Sequence, residues 1–320
     1  MSKFMLSSAL LVALVLSASA EQIASVATSA KGTLFDQAGT AVAKVATNYA
    51  GLPSTLRNYA SASVFIPAIA RGQVDFGVAN QFEITLAVTG QDYFEGRQHE
   101  NLRAVAVLFP LQVAIFVAMD SPVERIAGLR GHRLPDGYVA NKIALPLLDA
   151  LLAADGITRD DIDSLNVSGL AAGVDAFTSG RADGFLMALG APKAREANAR
   201  HGIRALAINN TKEALAAMRE HMPVAYLSLK KPGPASPGIR EPTWVMSYDT
   251  VLFASTETSD ETVFQMTRAL HENKQALIDA SPAFRAFTPE AMAKDLGLLE
   301  YHPAAIRFYK EQGLWPTSLP

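Results

Sequence analysis

Asn80 and Gln81 are adjacent amides at the end of an apolar run, Val74–Ala79, that reads as a buried strand. Side-chain amides both donate and accept hydrogen bonds, so the pair suits reversible capture of a polar molecule more than covalent chemistry. Ligands of open α/β sheets sit beyond the carboxyl ends of strands, which is where these two residues stand. A second polar stretch, Ser29-Ala30-Lys31-Gly32-Thr33, lies between a strand candidate at Ile23–Ala27 and a helix reaching about Asn48. Free backbone N–H groups at a helix start attract anions, and Lys31 adds a charge, although the same residues also make an ordinary strand–helix turn. A third loop, Tyr138-Val139-Ala140-Asn141-Lys142, precedes a helix at Ala144–Ala154.

Catalytic constellations are missing. There is no G-x-S-x-G, G-x-G-x-x-G or phosphate loop ending in Gly-Lys-Ser/Thr. His99, His132, His201, His221, His271 and His302 are never three or four apart, which removes a helical metal pair, and His99 reads as a surface residue. With no cysteine there is no thiol chemistry, disulfide or thiolate metal site. Asp160, Asp161 and Asp163 read as charges at a helix start after Thr158. The expectation is a protein that is not an enzyme and needs no cofactor or metal.

The elements that position these residues repeat. Ala68–Gln81 (A-I-A-R-G-Q-V-D-F-G-V-A-N-Q) and Ala176–Ala188 (A-F-T-S-G-R-A-D-G-F-L-M-A) are both helix, glycine, aspartate and apolar strand, with Gly72 and Gly180 108 positions apart. Two similar units in 320 residues suggest two α/β lobes with a cleft between them. Strands alternate with helices, which predicts mainly parallel sheets. Gln112–Met119 takes the chain out of the first lobe, and Thr243–Ser255 returns it after a loop at Lys230–Pro242 that holds four prolines. The expected organisation is 1–20 leader, 21–111 with 242–320 as lobe 1, and 112–241 as lobe 2. Two crossings make a hinge.

Formal net charge is −3, with no long basic run to support a nucleic-acid surface. Lys3, the apolar run Phe4–Leu16 and Ala18-Ser19-Ala20 before Glu21 have the form of a secretory signal peptide, so a periplasmic location is expected.

The chain resembles the TAXI family, the extracytoplasmic solute receptors of TRAP transporters. The most specific piece is His302–Gly313 (H-P-A-A-I-R-F-Y-K-E-Q-G), similar to the family's H-P-G-A-x-x-(F/Y)-Y-K-E-x-G. Leu129–Arg133 looks like L-K-G-K-R, Gly156–Ile162 like G-L-T-x-D-D-(I/L), and Phe109-Pro110 like Y-P. The resemblance implies a type II periplasmic-binding fold that takes a small organic acid or amino acid and delivers it to a TRAP-type permease. It places Gly32, Thr33 and Phe35, with Ser29 and Lys31 of the same loop, at the ligand. It adds the hydroxyls of Ser61 and Ser63, the amides of Asn80 and Gln81, and Gly190 and Pro192. The family's G-S-G-T loop is replaced by Val139–Lys142, with Asn141 kept as a site candidate and Lys142 reading either as a point charge that replaces the glycine amides or, equally, as a solvated lysine. Leu34 and Phe82 also depart from the pattern, which predicts a more apolar site and leaves a carboxylate ligand open. A binding protein of an ABC importer and a protein-partner adaptor or sensor on the same fold are the alternatives.

Overall fold

The computed structural model describes residues 23–315, so the leader expected at 1–20 lies outside the described residues. The first lobe opens with β1 (Ala24–Thr28), α1 (Leu34–Tyr49), β2 (Ser54–Asn58), α2 (Ala62–Ala70), β3 (Phe76–Asn80) and α3 (Gln81–Thr89). Strand β4 (Leu102–Ala118) crosses into the second lobe. That lobe holds β5 (Arg133–Asp136), α4 (Ala144–Ala153), β6 (Asp163–Asn166), α5 (Leu170–Thr178), β7 (Gly184–Ala188), α6 (Pro192–His201), β8 (Ile203–Ala205), α7 (Lys212–His221) and β9 (Tyr226–Lys230). Strand β10 (Thr243–Ser255) returns, followed by α8 (Asp260–Glu272), α9 (Lys274–Ala280) and α10 (Pro303–Glu311).

The sheet order is β2-β1-β3-β10-β4-β7, with β8 on β4 and β9 on β10, while β5 and β6 pair separately. Pairing is parallel among β1, β2 and β3. The crossing strands are antiparallel to β3, to each other and to β7, so the sheet is mixed where the alternating pattern predicted mainly parallel pairing. The difference arises at the crossings: a strand that leaves one lobe and another that returns run in opposite directions through the same sheet. Thr158–Asp161, expected to open a helix, forms only a 3₁₀ turn closed by a capping box. His99 is half-buried with its ring edge-on to Phe94, not a free surface residue.

The repeat is a duplicated device. Gly72 and Gly180 take φ of 66° and 75°, the left-handed conformation that ends a helix at little cost for glycine. Three residues later, the Asp75 carboxylate accepts from the N–H and hydroxyl of Ser25 at 2.8 and 2.7 Å. In the second lobe the Asp183 carboxylate accepts from the N–H of Arg133 at 2.8 Å. Each aspartate ties the start of its lobe's first strand, and both partners are 50 residues upstream. The register of 108 extends to the elements: α2 starts at 62 and α5 at 170, β3 spans 76–80 and β7 184–188.

Packing around Gly77 is tight enough to exclude a side chain. A Cβ there would lie 2.4 Å from Ile69 Cδ1 and 2.6 Å from Phe253 Cε1. Because buried atoms in a dense core move only at a cost, Gly77→Ala is expected to destabilise the protein by about 1–3 kcal/mol. Urea unfolding checks this; a midpoint unchanged from the wild type would contradict the packing described.

Candidate functional site

A cavity of about 420 Å³ lies between the lobes. Both contribute to its wall: Ser29–Phe35, Ala60, Ala62, Asn80 and Glu83 from the first, and Ala140, Asn141, Ser168–Ala172 and Ala191–Lys193 from the second. Leu111 and Val113 of β4, Tyr248 of β10, and Ile143, Leu147, Leu186 and Met187 supply an apolar lining. A largely apolar concavity with a few convergent polar groups is the usual form of a small-molecule site.

The residues expected at the ligand divide into two groups. Ser29, Lys31, Gly32, Thr33, Phe35, Asn80, Asn141 and Pro192 line this cavity. Ser61 and Ser63 do not; their hydroxyls bond to each other at 2.9 Å, and the neighbouring alanines face the space. The Gln81 side chain turns away and donates to the Leu296 carbonyl at 3.1 Å. Lys142 is exposed, its ammonium 5.8 Å from the centre of the Tyr93 ring, and it does not line the cavity. Gly190 borders a separate cavity of about 200 Å³, together with Arg195, Lys230 and Arg285. Arg57 is also outside, donating to the Gln73 carbonyl.

The anion-friendly loop of the first lobe is already satisfied from within. Gly32 N–H donates to Asp36 Oδ2 at 3.0 Å, and Thr33 Oγ1 accepts from Asp36 N–H while donating to the Ala30 carbonyl. Asn58 Nδ2 donates to the other Asp36 oxygen at 2.6 Å. A resident carboxylate thus takes the place at this helix start that a bound anion would take. In the second lobe the amides of Ala140 and Asn141 are likewise used, by the carbonyls of Ser168 and Tyr138.

Unused amides occur instead at the start of α5. Its cap position is Gly169, which has no side chain to accept from the first turn, and the first donor to engage it is Gly173 N–H. Leu170, Ala171 and Ala172, the residues whose N–H groups a helix leaves without an internal acceptor, all line the cavity. Asn141 sits beside this turn, and its Oδ1 is buried with no hydrogen-bond partner. The sequence signal for α5 was the helix of the second repeat, but nothing local to Ser168–Ala172 marks a site; only its place opposite the first-lobe loop does.

Glu83 was missed altogether. It is only 3% exposed and lines the cavity. Asn80 holds it twice: Oδ1 accepts from Glu83 N–H at 2.8 Å, capping α3, and Nδ2 donates to Glu83 Oε2 at 2.7 Å. Burial pushes its carboxyl up to about 7, against the opposing influence of Tyr93, Asn80 and the Ser63 backbone. The signal available in the sequence was the spacing Asn80-x-x-Glu83, which has the form of a capping box. Lys193, at the other wall, is engaged by Asp175 and Glu196 at 2.8 and 3.2 Å.

Among the described residues no group of three or more His, Asp or Glu side chains is arranged to hold a metal ion, and no helix is long and apolar enough to cross a membrane.

A family model described as NMT1-like matches residues 26–313. Among solved structures, the periplasmic sulfonate-binding protein SsuA of Methylobacillus flagellatus is similar over 93% of this chain and 97% of its own, at 16% identity and a TM-score of 0.54. A second structure, described as a periplasmic transporter, is similar over 92% and 97% of the two chains, at 16% identity and a TM-score of 0.56. At these identities the likeness establishes the fold.

The Glu83 geometry has a pH consequence. Its folded-state pKa is raised from about 4.5 to about 7. Between those values the native state keeps a proton that the unfolded chain has released, so its contribution to stability falls as pH rises. Glu83→Gln removes the ionisation, and the stability of the variant relative to wild type is expected to improve by about 3 kcal/mol from pH 4.5 to above 7. Urea titrations of both proteins across that range test it, and a difference independent of pH would contradict it.

Proposed function

The chain belongs to the NMT1-like family, and on that premise we propose that it is an extracytoplasmic solute-binding receptor that captures a small organic solute between its lobes and passes it to a membrane permease. The observation that carries this reading is the cavity of about 420 Å³, walled by both lobes and crossed by two strands that allow the lobes to close on a guest. The lobes are taken as 21–111 with 242–320, and 112–241. The leader pattern and the periplasmic relatives support a location outside the cytoplasmic membrane. Among the described residues no nucleophile hydrogen-bonded to a base lines the cavity, which supports binding without turnover.

In this reading the contacts come from Ser29, Lys31, Thr33, Phe35, Asn80, Glu83 and Tyr248 on one side and Asn141, the first turn of α5 and Pro192 on the other. The free amides of α5 favour an acidic group such as a carboxylate or sulfonate. The apolar walls favour a hydrocarbon body over a sugar.

Transfer to an ABC importer is the first reading for the partner, supported by the likeness to a protein named as a sulfonate-binding component of such a system. A specific observation favours a second, the TRAP-type permease of the TAXI family: the tail His302–Gly313. Uptake into vesicles reconstituted with either type of permease separates them, since an ABC importer requires ATP and a TRAP permease an ion gradient.

Binding itself is tested by thermal unfolding with a panel of carboxylates, sulfonates and amino acids. A ligand present at 100 times its dissociation constant stabilises the native state by about 2.7 kcal/mol. Ala171→Trp places an indole in the cavity from an exposed position on α5 and is expected to abolish the ligand-induced shift while leaving the unliganded midpoint near wild type. A shift that survives this substitution would place the solute elsewhere.

A further inference from the structure

We propose that the solute carries a protonated nitrogen that docks on Glu83, so that the cavity selects amine-bearing or zwitterionic molecules with an apolar body over simple acids. The inference rests on the receptor reading and specifies its ligand. Glu83 lines the cavity with its side chain almost wholly buried, and among the described residues it forms no salt bridge. The groups beside it are neutral: the Asn80 amide, which donates to it at 2.7 Å, the Ser63 backbone on α2, and the Tyr93 phenol, whose hydroxyl is buried without a hydrogen-bond partner. Tyr248, reaching from β10, adds a second phenol near the same carboxylate.

No side-chain cation pairs with Glu83 among the described residues. Lys142, on the second lobe, stands 5.8 Å from the centre of the Tyr93 ring, and Asp92 of the first lobe also acts on that phenol. Lys193 lines the cavity but is taken by Asp175 and Glu196, and Lys31, an exposed residue that also lines it, makes no salt bridge with Glu83. An ionised carboxylate against apolar walls is costly without a counter-charge, and truncating other side chains would not supply one. A ligand ammonium would meet this carboxylate while its acidic end met the amides of α5 across the cavity. The carboxyl's elevated pKa, near 7, is the expected property of a buried acid waiting for a cation, which on arrival would hold it ionised.

Isothermal titration calorimetry with hexylamine, 6-aminohexanoate and hexanoate, three probes of one chain length, tests the idea. At pH 8 the two amines are expected to bind more tightly than hexanoate. Loss of a charge-assisted hydrogen bond in Glu83→Gln should weaken them by about tenfold or more. In wild type their affinity should fall as pH drops from 8 to 5 and Glu83 takes up a proton, and the variant should lack this dependence. Glutamine keeps the shape and can still accept from Asn80, and circular dichroism of the variant verifies its fold. Amine affinity retained in the variant, or no amine binding to the wild type at millimolar concentration, overturns the proposal. Hexanoate binding without amine binding overturns it while leaving the receptor reading intact. Failure of all three probes, with no small molecule retained by the purified protein, overturns both.

Discussion

Strands β4 and β10 are hydrogen-bonded to each other from Leu102–Ser255 through Val113–Met246, and the arrangement of the whole molecule follows from that ladder. Beyond it β4 continues onto β7 and β8, and β10 onto β9, so the second lobe is built on the far ends of the two strands that complete the first. Any relative motion of the lobes must therefore bend or twist these two strands. Two register shifts in this ladder, at Thr250/Val251 and Leu252/Phe253, locally relax its regularity. Leu111, Val113 and Tyr248, which lie on these two strands, form part of the cavity wall, so the crossing strands and the cavity share residues.

Around these strands each lobe points the starts of its helices at the same space, but the two treat them differently. In the first lobe Thr33 caps α1, Asn80 caps α3, and Asp36 occupies the loop ahead of α1. In the second, Gly169 and Ala191 offer no side-chain cap to α5 and α6. Among α1, α2 and α3 of the first lobe only α2, whose cap residue Ser61 makes no side-chain cap bond, is left in the same state, so a solute has more helix-start donors to complete on the second lobe. The first lobe contributes instead a buried acid, Glu83, at the floor. A buried acid on one wall and helix-start amides on the other are the physical basis for proposing a ligand with two unlike ends.

Much of the fold was legible because its signals are local. Gly72 and Gly180 announce left-handed helix ends, and the capping-type runs Asn210–Glu213 and Thr258–Glu261 do open helices, although the capping side chains are Thr211 and Ser259, one position after the start of each run. The tail motif is equally local in sequence, yet its role is structural. His302 Nδ1 accepts from Ala304 N–H to cap α10, His302 N–H donates to the Ala104 carbonyl, and the Tyr309 hydroxyl donates to the Val105 carbonyl at 2.6 Å. These bonds fasten α10 to the first half of β4, and none of the motif's residues lines the cavity. The residues that carry the resemblance most strongly are therefore informative about fold and silent about ligand. The site was less legible because side-chain direction is set by partners distant in the chain. Gln81 turns to Leu296, 215 positions on, and no pattern around Gln81 contains that information. Glu83 reads locally as a helix-capping acid, and its second role exists only because β4, β10 and the second lobe close over it.

The central claim, that the space between the lobes exists to hold a small solute, is tested most directly by native mass spectrometry of the protein purified gently from its own cell envelope. The account predicts a one-to-one complex with a small organic molecule, released when the protein is unfolded and absent from Ala171→Trp prepared in the same way. A wild-type protein that carries no small molecule, and whose mass does not change when it is exposed to a concentrated extract of small metabolites, would contradict it.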